Sequence, residues 1–342
     1  MSLSRIVSLA GLIFFAINGN CNPSINAAID KGLVFLESVQ FSYGEYPTLF
    51  SPNLPEPARS LATNYDSNLF TTVMIADAIH EINHRAVKRL NKKTVKYIQS
   101  QLLNEQGLWS YFTTHNNAPL YPNTVTDLDD TAFASIVLQQ NGVAFPDNHQ
   151  IIEANKNEKG VYLTFIDPPF LNDVDCGVNA NVLSYLQQAD KNVCNYLNKQ
   201  VAQKANCAHY YSLLDAYYLI SRAYKSGIQC LKPSAQPILA YTLEQINQWD
   251  KDGNISSFKR AVALNILLDY GYRGEAIFKT AQFLLKKQSR HNGSWPGEDF
   301  WLWSGVDEEG NRFLLGQSSS SALTTAIALK ALNRLQAEGF NG

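Results

Sequence analysis

A short motif recurs along this chain and constrains its fold more than any other feature. Each copy ends a helical segment with a glutamine, a glycine-containing turn and a bulky apolar residue. The copies lie at residues 40–46 (QFSYGEY), 101–109 (QLLNEQGLW), 248–255 (QWDKDGNI) and 288–295 (QSRHNGSW), and residues 160–162 (GVY) keep only the tail. A recurring unit of this kind predicts a repeat architecture, in which neighbouring units bury each other's apolar faces. We expect the aromatic residues of the motif to be structural plugs, namely Tyr46, Trp109, Tyr162 and Trp295.

Helical segments of a second kind alternate with those before the motif and are apolar on nearly all sides. We place them at about Tyr65–Ile82, Asp127–Gln140, Cys176–Gln187, His209–Tyr224, Ser257–Tyr270 and Ser319–Leu335. A helix that is apolar all round is buried, whereas one charged on a single side, such as Lys88–Gln99, faces solvent. No alternating runs indicate strands. The pattern therefore predicts an all-α fold, a single α/α toroid of six outer–inner helix pairs around a central cavity, with a short third outer helix near Gln150–Asn155.

The N-terminus differs from the rest of the chain. Arg5 precedes the apolar run Ile6–Ile17 and the small polar segment Asn18–Cys21, which is the order of a secretory signal peptide. We expect residues 1–21 to be a signal peptide and residues 22–342 to form one domain, exported to the periplasm or secreted. An uncleaved anchor is the alternative.

The overall charge of the chain bears on which classes of molecule it can bind. The net charge is −2 and no basic stripe appears, which argues against nucleic acid. After the N-terminus, no segment reaches the length and uniform apolarity of a membrane span.

Four cysteines remain after the signal peptide, at 176, 194, 207 and 230. In an exported chain an even count favours disulfides, and three pairings exist for four cysteines. Because Cys194 and Cys207 flank one short segment, we expect these two to pair, with Cys176 and Cys230 left as thiols.

Three carboxylates open one of the buried helices, in the box Asp127-Leu128-Asp129-Asp130-Thr131-Ala132. Carboxylates crowded this closely cannot all ionise at low cost, so one proton should be held more firmly than in water. A protonated aspartate aimed into an apolar cavity is a Brønsted acid. The alternative is that these residues only cap the helix and complement its dipole.

The glutamine–glycine–aromatic motif and the Asp-Leu-Asp-Asp-Thr-Ala box together resemble the class II terpene cyclases, including squalene–hopene and copalyl diphosphate cyclases. The resemblance covers about residues 27–335. It implies acid-initiated cyclisation of a polyprenyl substrate, in which Asp129 protonates an alkene or epoxide while Asp127 and Asp130 hold its proton and orientation. No cofactor is then expected, except Mg²⁺ if the substrate is a diphosphate. The partner would be a hydrophobic isoprenoid, with membrane association as a route of substrate access.

Chemistry that starts by ionising a diphosphate needs a D-D-x-x-D box, and that box is missing. Asp129-Asp130 continues as Thr131-Ala132-Phe133. The sequence therefore does not favour this reaction class.

In a toroid of alternating helices, all inner helices begin at the same end, so their first residues should face one another. The residues expected to line one substrate pocket with the aspartates are Tyr65, His209, Tyr210, Phe300, Trp301 and Trp303. Aromatic faces stabilise carbocations, although each aromatic taken alone could be a core residue. Asp173, Asp175, Cys176 and His209 could instead hold zinc, but the cysteine is also a disulfide candidate, and we expect no metal.

Two other functions remain open. The first is an α/α-toroid glycan hydrolase or lyase, in which Asp129 works with Asp173 or Asp66 across a wet cleft. The second is a non-catalytic protein that binds an isoprenoid or a peptide.

Overall fold

The computed structural model describes residues 24–339, apart from 206, 208, 211, 254–255 and 307–311. The expected signal peptide lies outside these residues. Six outer helices are α1 (Ile25–Val39), α4 (Arg85–Ser100), α6 (His149–Ala154), α8 (Lys191–Ala202), α10 (Ala235–Asp252) and α12 (Glu275–Lys287). Six inner helices are α3 (Leu69–Ile79), α5 (Leu128–Gln140), α7 (Cys176–Leu186), α9 (Leu213–Lys225), α11 (Ser257–Asp269) and α13 (Ser321–Ala337). The predicted α/α toroid, with its short third outer helix, is confirmed.

The inner helices form a closed ring because each packs on the next and the last, α13, packs on both α3 and α1. All residues of α3 are buried, whereas α4 buries one side and exposes its lysines. A short helix, α2 (Ala58–Ala62), lies within the first pair between α1 and α3, and a 3₁₀ turn, Gln229–Ser234, lies between α9 and α10. Within the described residues, no helix combines the length and apolarity needed to cross a bilayer.

The recurring motif joins neighbouring outer helices. The Gln40 Nε2 donates to the carbonyl of Gly44 at 3.1 Å and to the carbonyl of Leu90, on the next outer helix, at 3.2 Å. The glycine is required because its φ is +116° and a Cβ there would lie 2.3 Å from the carbonyl oxygen of Lys93. Gln288 repeats the pattern with Gly293 and the carbonyl of Ala28, which links the last outer helix to the first.

The aromatic residue of each motif is a core plug, as expected. Trp109 and Trp295 are fully buried, and their indole N–H groups donate at 2.8 Å to the carbonyls of Ile98 and Leu284. The backbone N–H of each plug also donates to a polar side chain on its inner helix; these acceptors are Thr72, Thr131, Asn179 and Thr325. The plug therefore fixes each outer helix against its inner partner.

A four-stranded antiparallel sheet crosses the end of the toroid where the inner helices begin, in the order β2–β1–β6–β5. Its strands are β1 (Leu49–Pro52), β2 (Asn64–Tyr65), β5 (Asp299–Val306) and β6 (Arg312–Ser319), and a smaller pair joins β3 (Thr126–Asp127) to β4 (Phe165–Ile166). The expectation of no strands is wrong here. Because β6 pairs with β1, from the other end of the sequence, no local pattern marks it.

The disulfides are Cys176–Cys207 and Cys194–Cys230. The predicted Cys194–Cys207 bond, and the expectation of free thiols at Cys176 and Cys230, are wrong. Helix packing selects the partners. Cys194 lies on α8, which packs against the 3₁₀ turn that carries Cys230, whereas Cys176 and Cys207 both lie at the end where the inner helices begin.

Candidate functional site

Asp127 caps the helix that carries the acid box. Its Oδ1 accepts the backbone N–H of Asp129 at 2.8 Å and that of Asp130 at 3.4 Å. Burial nevertheless outweighs these donors and raises the pKa of Asp127 to about 6. The capping interpretation therefore holds for the first carboxylate of the box, alongside a perturbed proton affinity.

Asp129 is the second residue of α5 and is fully buried. The Asn181 Nδ2, from α7, donates to its Oδ1 at 2.5 Å, and the Tyr210 hydroxyl donates to its Oδ2 at 2.6 Å. Burial and the charge of Asp127 raise the pKa of Asp129 to about 7, against the opposing effect of both donors. Both protonation states are therefore populated near neutral pH, as general acid–base chemistry requires.

Asp130 is the third carboxylate, and it is also fully buried. Neither of its oxygens has a hydrogen-bond partner among the described residues. Burial, together with the charges of Asp127 and Asp129, raises its pKa well above the ordinary value. The firmly held proton that the sequence predicted for this box therefore belongs first to Asp130.

His209 joins the same end of the toroid through two aspartates of the preceding repeat. Its Nε2 lies 3.1 Å from the Asp173 Oδ2, and its backbone N–H donates to the Asp175 Oδ2 at 3.1 Å. Burial lowers the pKa of His209, but its hydrogen bond to Asp173 and the neighbouring carboxylates outweigh burial, so the net pKa is raised. Because Cys176 is bonded to Cys207, the zinc alternative loses its thiolate.

Two aromatic residues of β5, Phe300 and Trp301, pack around this cluster. The ring of Trp301 stacks on His209 with centroids 5.4 Å apart, and lies 5.1 Å from Tyr210 and 5.0 Å from Phe70. Phe300 also packs on Phe70.

These side chains fill the expected substrate cavity. The space that remains beside Tyr210 and Phe300 is about 10 Å³, roughly the room of one water molecule. In this conformation strand β5 occupies the place that the sequence assigned to a substrate.

Like Trp303, Tyr65 is a predicted pocket residue that lines a different pocket from the aspartate cluster. It is 40% exposed on β2 and lines an open pocket of about 300 Å³ at the same end of the toroid. The pocket walls include Phe112 and Trp303, and its polar groups include Asn64, Asp66, Ser67, His115 and Asn116.

Asp66 is the buried carboxyl of this pocket. The Asn116 Nδ2 donates to its Oδ1 at 2.9 Å, and the Tyr111 hydroxyl and the Asn68 Nδ2 each lie 3.3 Å from its Oδ2. Burial raises the pKa of Asp66 to about 6 in spite of these donors. The start of an inner helix pointed to Asp66, whereas nothing in the sequence marked Asn116.

Glu45 is a second carboxyl behind the same pocket, and the sequence did not mark it as functional. It is fully buried within the first copy of the motif, where Ser67 donates to its Oε1 at 2.7 Å and Tyr43 to its Oε2 at 2.9 Å. Burial raises the pKa of Glu45. Ser67 also lines the pocket, so its hydroxyl connects this buried carboxyl to a residue of the pocket wall.

Comparisons with known proteins give information on the fold. No family model matches the sequence, and no match is found among curated proteins. Solved structures do match. A protein from Actinoplanes is 16% identical with a TM-score of 0.66, covering 91% of this chain and 99% of that chain. D-mannose isomerase is 13% identical with a TM-score of 0.52, covering 92% and 97%. Cellobiose 2-epimerase from Bacillus thermoamylovorans B4167 is 12% identical with a TM-score of 0.52, covering 91% and 99%.

The shared property is the fold. At these identities the likeness extends to the α/α toroid and not to an activity. It supports the toroid part of the resemblance to terpene cyclases and gives no support to a cyclase identity.

Proposed function

We propose that this toroid is an enzyme that processes a carbohydrate by general acid–base catalysis, at the end where its inner helices begin. The observation that carries this proposal is the open pocket in which the buried carboxyl of Asp66 accepts a hydrogen bond from the Asn116 amide, with Asn64 and the stacked rings of Phe112 and Trp303 also in its lining. Sites for small polar molecules combine such apolar walls with a few fixed polar groups. Amides and carboxyls suit sugar hydroxyls, and aromatic faces suit the C–H faces of a sugar ring.

Asp66 is the proton-transfer group in this proposal. A carboxyl with a pKa of about 6 can both accept and return a proton near neutral pH. Glu45 is the second carboxyl of the proposed site, and the Ser67 hydroxyl, which donates to it, connects it to the pocket. Glycan-processing sites usually use two carboxyl groups. The two solved structures named for a sugar isomerase and a sugar epimerase support the class by analogy of fold.

A second candidate keeps Asp129 as the acid of a class II cyclase-like reaction. In its favour, Asp129 has a pKa of about 7, Tyr210 at 2.6 Å and an aromatic shell that could stabilise a carbocation. Strand β5 would have to withdraw to admit a polyprenyl chain. Mg²⁺ enters this candidate only with a diphosphate substrate.

Surface features also bear on the second candidate and on location. The exposed leucines Leu61 and Leu171 would suit an isoprenoid or a membrane contact. Two disulfides support export, since such bonds persist in oxidising compartments.

The two candidates are separated by two single substitutions assayed on two substrate classes. We expect new sugar signals by NMR when the protein is incubated with D-mannose, cellobiose and related sugars, and we expect Asp66→Asn to abolish them. Asp215→Asn is the matched control, because Asp215 is also buried with a pKa of about 7 but does not line the open pocket.

Polyprenyl alkenes and diphosphates form the other arm of the assay. Turnover of these, lost in Asp129→Asn and retained in Asp66→Asn, would replace the first candidate by the second. A fully active Asp66→Asn variant on sugars would remove Asp66 from the mechanism.

A further inference from the structure

A hydrogen-bonded chain runs through the ring of inner helices from one end to the other. It begins at Asp129, passes to Asn181 and Arg222, and ends at Asp77 near the end of α3. These four residues come from four inner helices, and each is buried. Their contacts therefore connect the acid box with a charged group at the opposite end of the toroid.

Arg222 is held firmly at the far end. Its Nε and Nη2 donate to the two carboxylate oxygens of Asp77 at 3.0 and 2.9 Å, and its guanidinium lies 4.4 Å from the centroid of the Phe133 ring. The third nitrogen, Nη1, points to the Asn181 Oδ1 at 3.4 Å. A guanidinium has donors and no acceptor, so only the oxygen of the Asn181 amide can face it.

The orientation of the Asn181 amide matters to Asp129. With its oxygen turned to Arg222, Asn181 must present its NH₂ group to Asp129, and it does so at 2.5 Å. A donor to a carboxylate favours the ionised form. A free amide could turn over and accept a hydrogen bond from protonated Asp129 instead, which would favour the neutral form.

We propose that Arg222 is a positioning residue that acts on Asp129 through Asn181, holding the amide as a donor and so easing release of the Asp129 proton. This goes beyond the proposed function, because it concerns the buried acid whichever substrate the toroid receives.

The other groups around the two ends of this chain are fixed by separate contacts. Asp129 is faced by Asp127 and Asp130 on its own helix, by Asp175 at the start of α7 and by Tyr210 before α9. Arg222 is faced by Asp77 from α3, Tyr218 from its own helix, Asp269 from α11 and Lys330 from α13. Among the described residues, Asn181 hydrogen-bonds to both Asp129 and Arg222, so a change at Arg222 should reach Asp129 through it.

The test is a titration of the Asp129 carboxyl in the full-length protein. Its ¹³C or infrared signal is identified by its disappearance in Asp129→Asn. Arg222→Lys keeps a cation beside Asp77 but lacks the planar fork that also reaches Asn181. We expect this variant to raise the proton affinity of Asp129 about tenfold, the usual scale for loss of one directed donor.

Four further variants complete the test. Arg334→Lys is the matched control, since Arg334 makes a similar buried pair with Asp269 and does not contact Asn181; it should leave the Asp129 titration in place. Asn181→Leu should shift it as Arg222→Lys does, and the double variant should shift it no further. If Arg222→Lys destabilises the fold, Arg222→Gln combined with Asp77→Asn and Lys330→Gln removes the fork without leaving Lys330 beside a neutralised partner.

An Asp129 titration unchanged in both Arg222 variants, or moved equally by Arg334→Lys, would overturn the inference. So would additive shifts in the double variant. Because the readout is spectroscopic, it stands even if no sugar is turned over, and loss of sugar turnover in Asp66→Asn does not depend on it.

Discussion

Asp127, Asp129 and Asp130 occupy a single helical turn, yet each offers a proton a different environment. Asp127 accepts backbone N–H groups, Asp129 accepts two side-chain donors, and Asp130 has no partner among the described residues. The pKa is raised in all three because burial dominates, and at Asp130 no hydrogen-bond donor from the described part of the chain opposes burial. Local contacts thus give chemically identical side chains different surroundings for a proton.

Trp295 is a plug at which the contribution of the repeated motif to stability can be measured. It is fully buried and hydrogen-bonded through both its indole and its backbone N–H. Trp295→Ala should lower the free energy of unfolding by about 3–5 kcal/mol, the range for a deleted core aromatic, as measured by denaturant titration. Trp249→Ala, at a partly exposed site on α10, should cost less. A loss below about 1 kcal/mol at Trp295 would show that the plug is not part of the core.

The surroundings of the acid box were only partly predictable from the sequence. Crowding of the three aspartates was visible because they are adjacent, and so was the gathering of helix starts at one end. The partners of Asp129 were not: Asn181 lies 52 residues away and Tyr210 lies 81 residues away. Tyr210 was predicted as a pocket residue, but its contact with Asp129 depends on ring geometry that no local pattern encodes.

Among the larger elements, the segment that connects α8 to α9 positions His209 and Tyr210. The contacts that hold it include the Cys176–Cys207 bond, the hydrogen bond to Asp175 and the stacking on Trp301. The covalent contact sits two residues from His209. It therefore acts as a clamp on the aspartate cluster.

Removing this clamp should have a local effect that removing the other disulfide lacks. The two bonds close loops of similar length, with sequence separations of 31 and 36, so each should contribute about 4 kcal/mol in the chain-entropy model. Cys176→Ser with Cys207→Ser should also change the near-ultraviolet circular dichroism of Trp301 and the titration of Asp129. Cys194→Ser with Cys230→Ser should lower stability alone.

Peptide mapping of the unreduced protein provides the direct check on the pairing. It should yield the cross-linked pairs Cys176–Cys207 and Cys194–Cys230. Identical spectra for the two double variants would contradict the clamp.

Helices and strands differed in how well the sequence predicted them. The predicted inner helix 127–140 is observed at Leu128–Gln140, and the predicted 257–270 at Ser257–Asp269, because burial on all sides leaves an uninterrupted apolar run. The strand pair β5–β6 was not predicted from the sequence. Its aromatic residues face a partner strand and a helix end, so their spacing follows neither a helical period nor simple alternation.

At the scale of the whole molecule, buried carboxyls dominate the response to pH. Burial raises the pKa of Asp66 and Asp127 to about 6 and that of Asp129 and Asp215 to about 7. The folded protein therefore binds more protons than the unfolded chain between pH about 4 and 7. Stability from these groups is fully present below about pH 4 and is lost as the pH rises through 6 and 7.

Asp77 acts in the opposite direction. Burial opposes its ionisation, but Arg222 and Lys330 outweigh burial and hold the pKa of Asp77 well below its usual range. Its contribution is present above about pH 4 and is lost in stronger acid.

We therefore expect the free energy of unfolding to be greatest in mildly acidic solution and to fall toward neutrality. The share of Asp129 in that fall is at most about 4 kcal/mol. Denaturant titrations from pH 3 to 8 measure the curve, and Asp215→Asn should flatten its neutral limb. A stability that rises steadily from pH 4 to 8 would contradict the raised carboxyl pKa values.

The closure of the ring has a consequence for chain connectivity. Helix α1 packs on α13, the Gln336 Nε2 donates to the Asn26 Oδ1 at 2.5 Å, and β1 pairs with β6. An open solenoid can lose an end repeat and keep the remainder folded, whereas here the first and last units are neighbours and each covers the other's apolar face. The ends of the described domain lie side by side, so a short linker could join Ser24 to Gly339 and new termini could be opened in a surface loop. Circular permutation should be tolerated where deletion of a single helix pair is not.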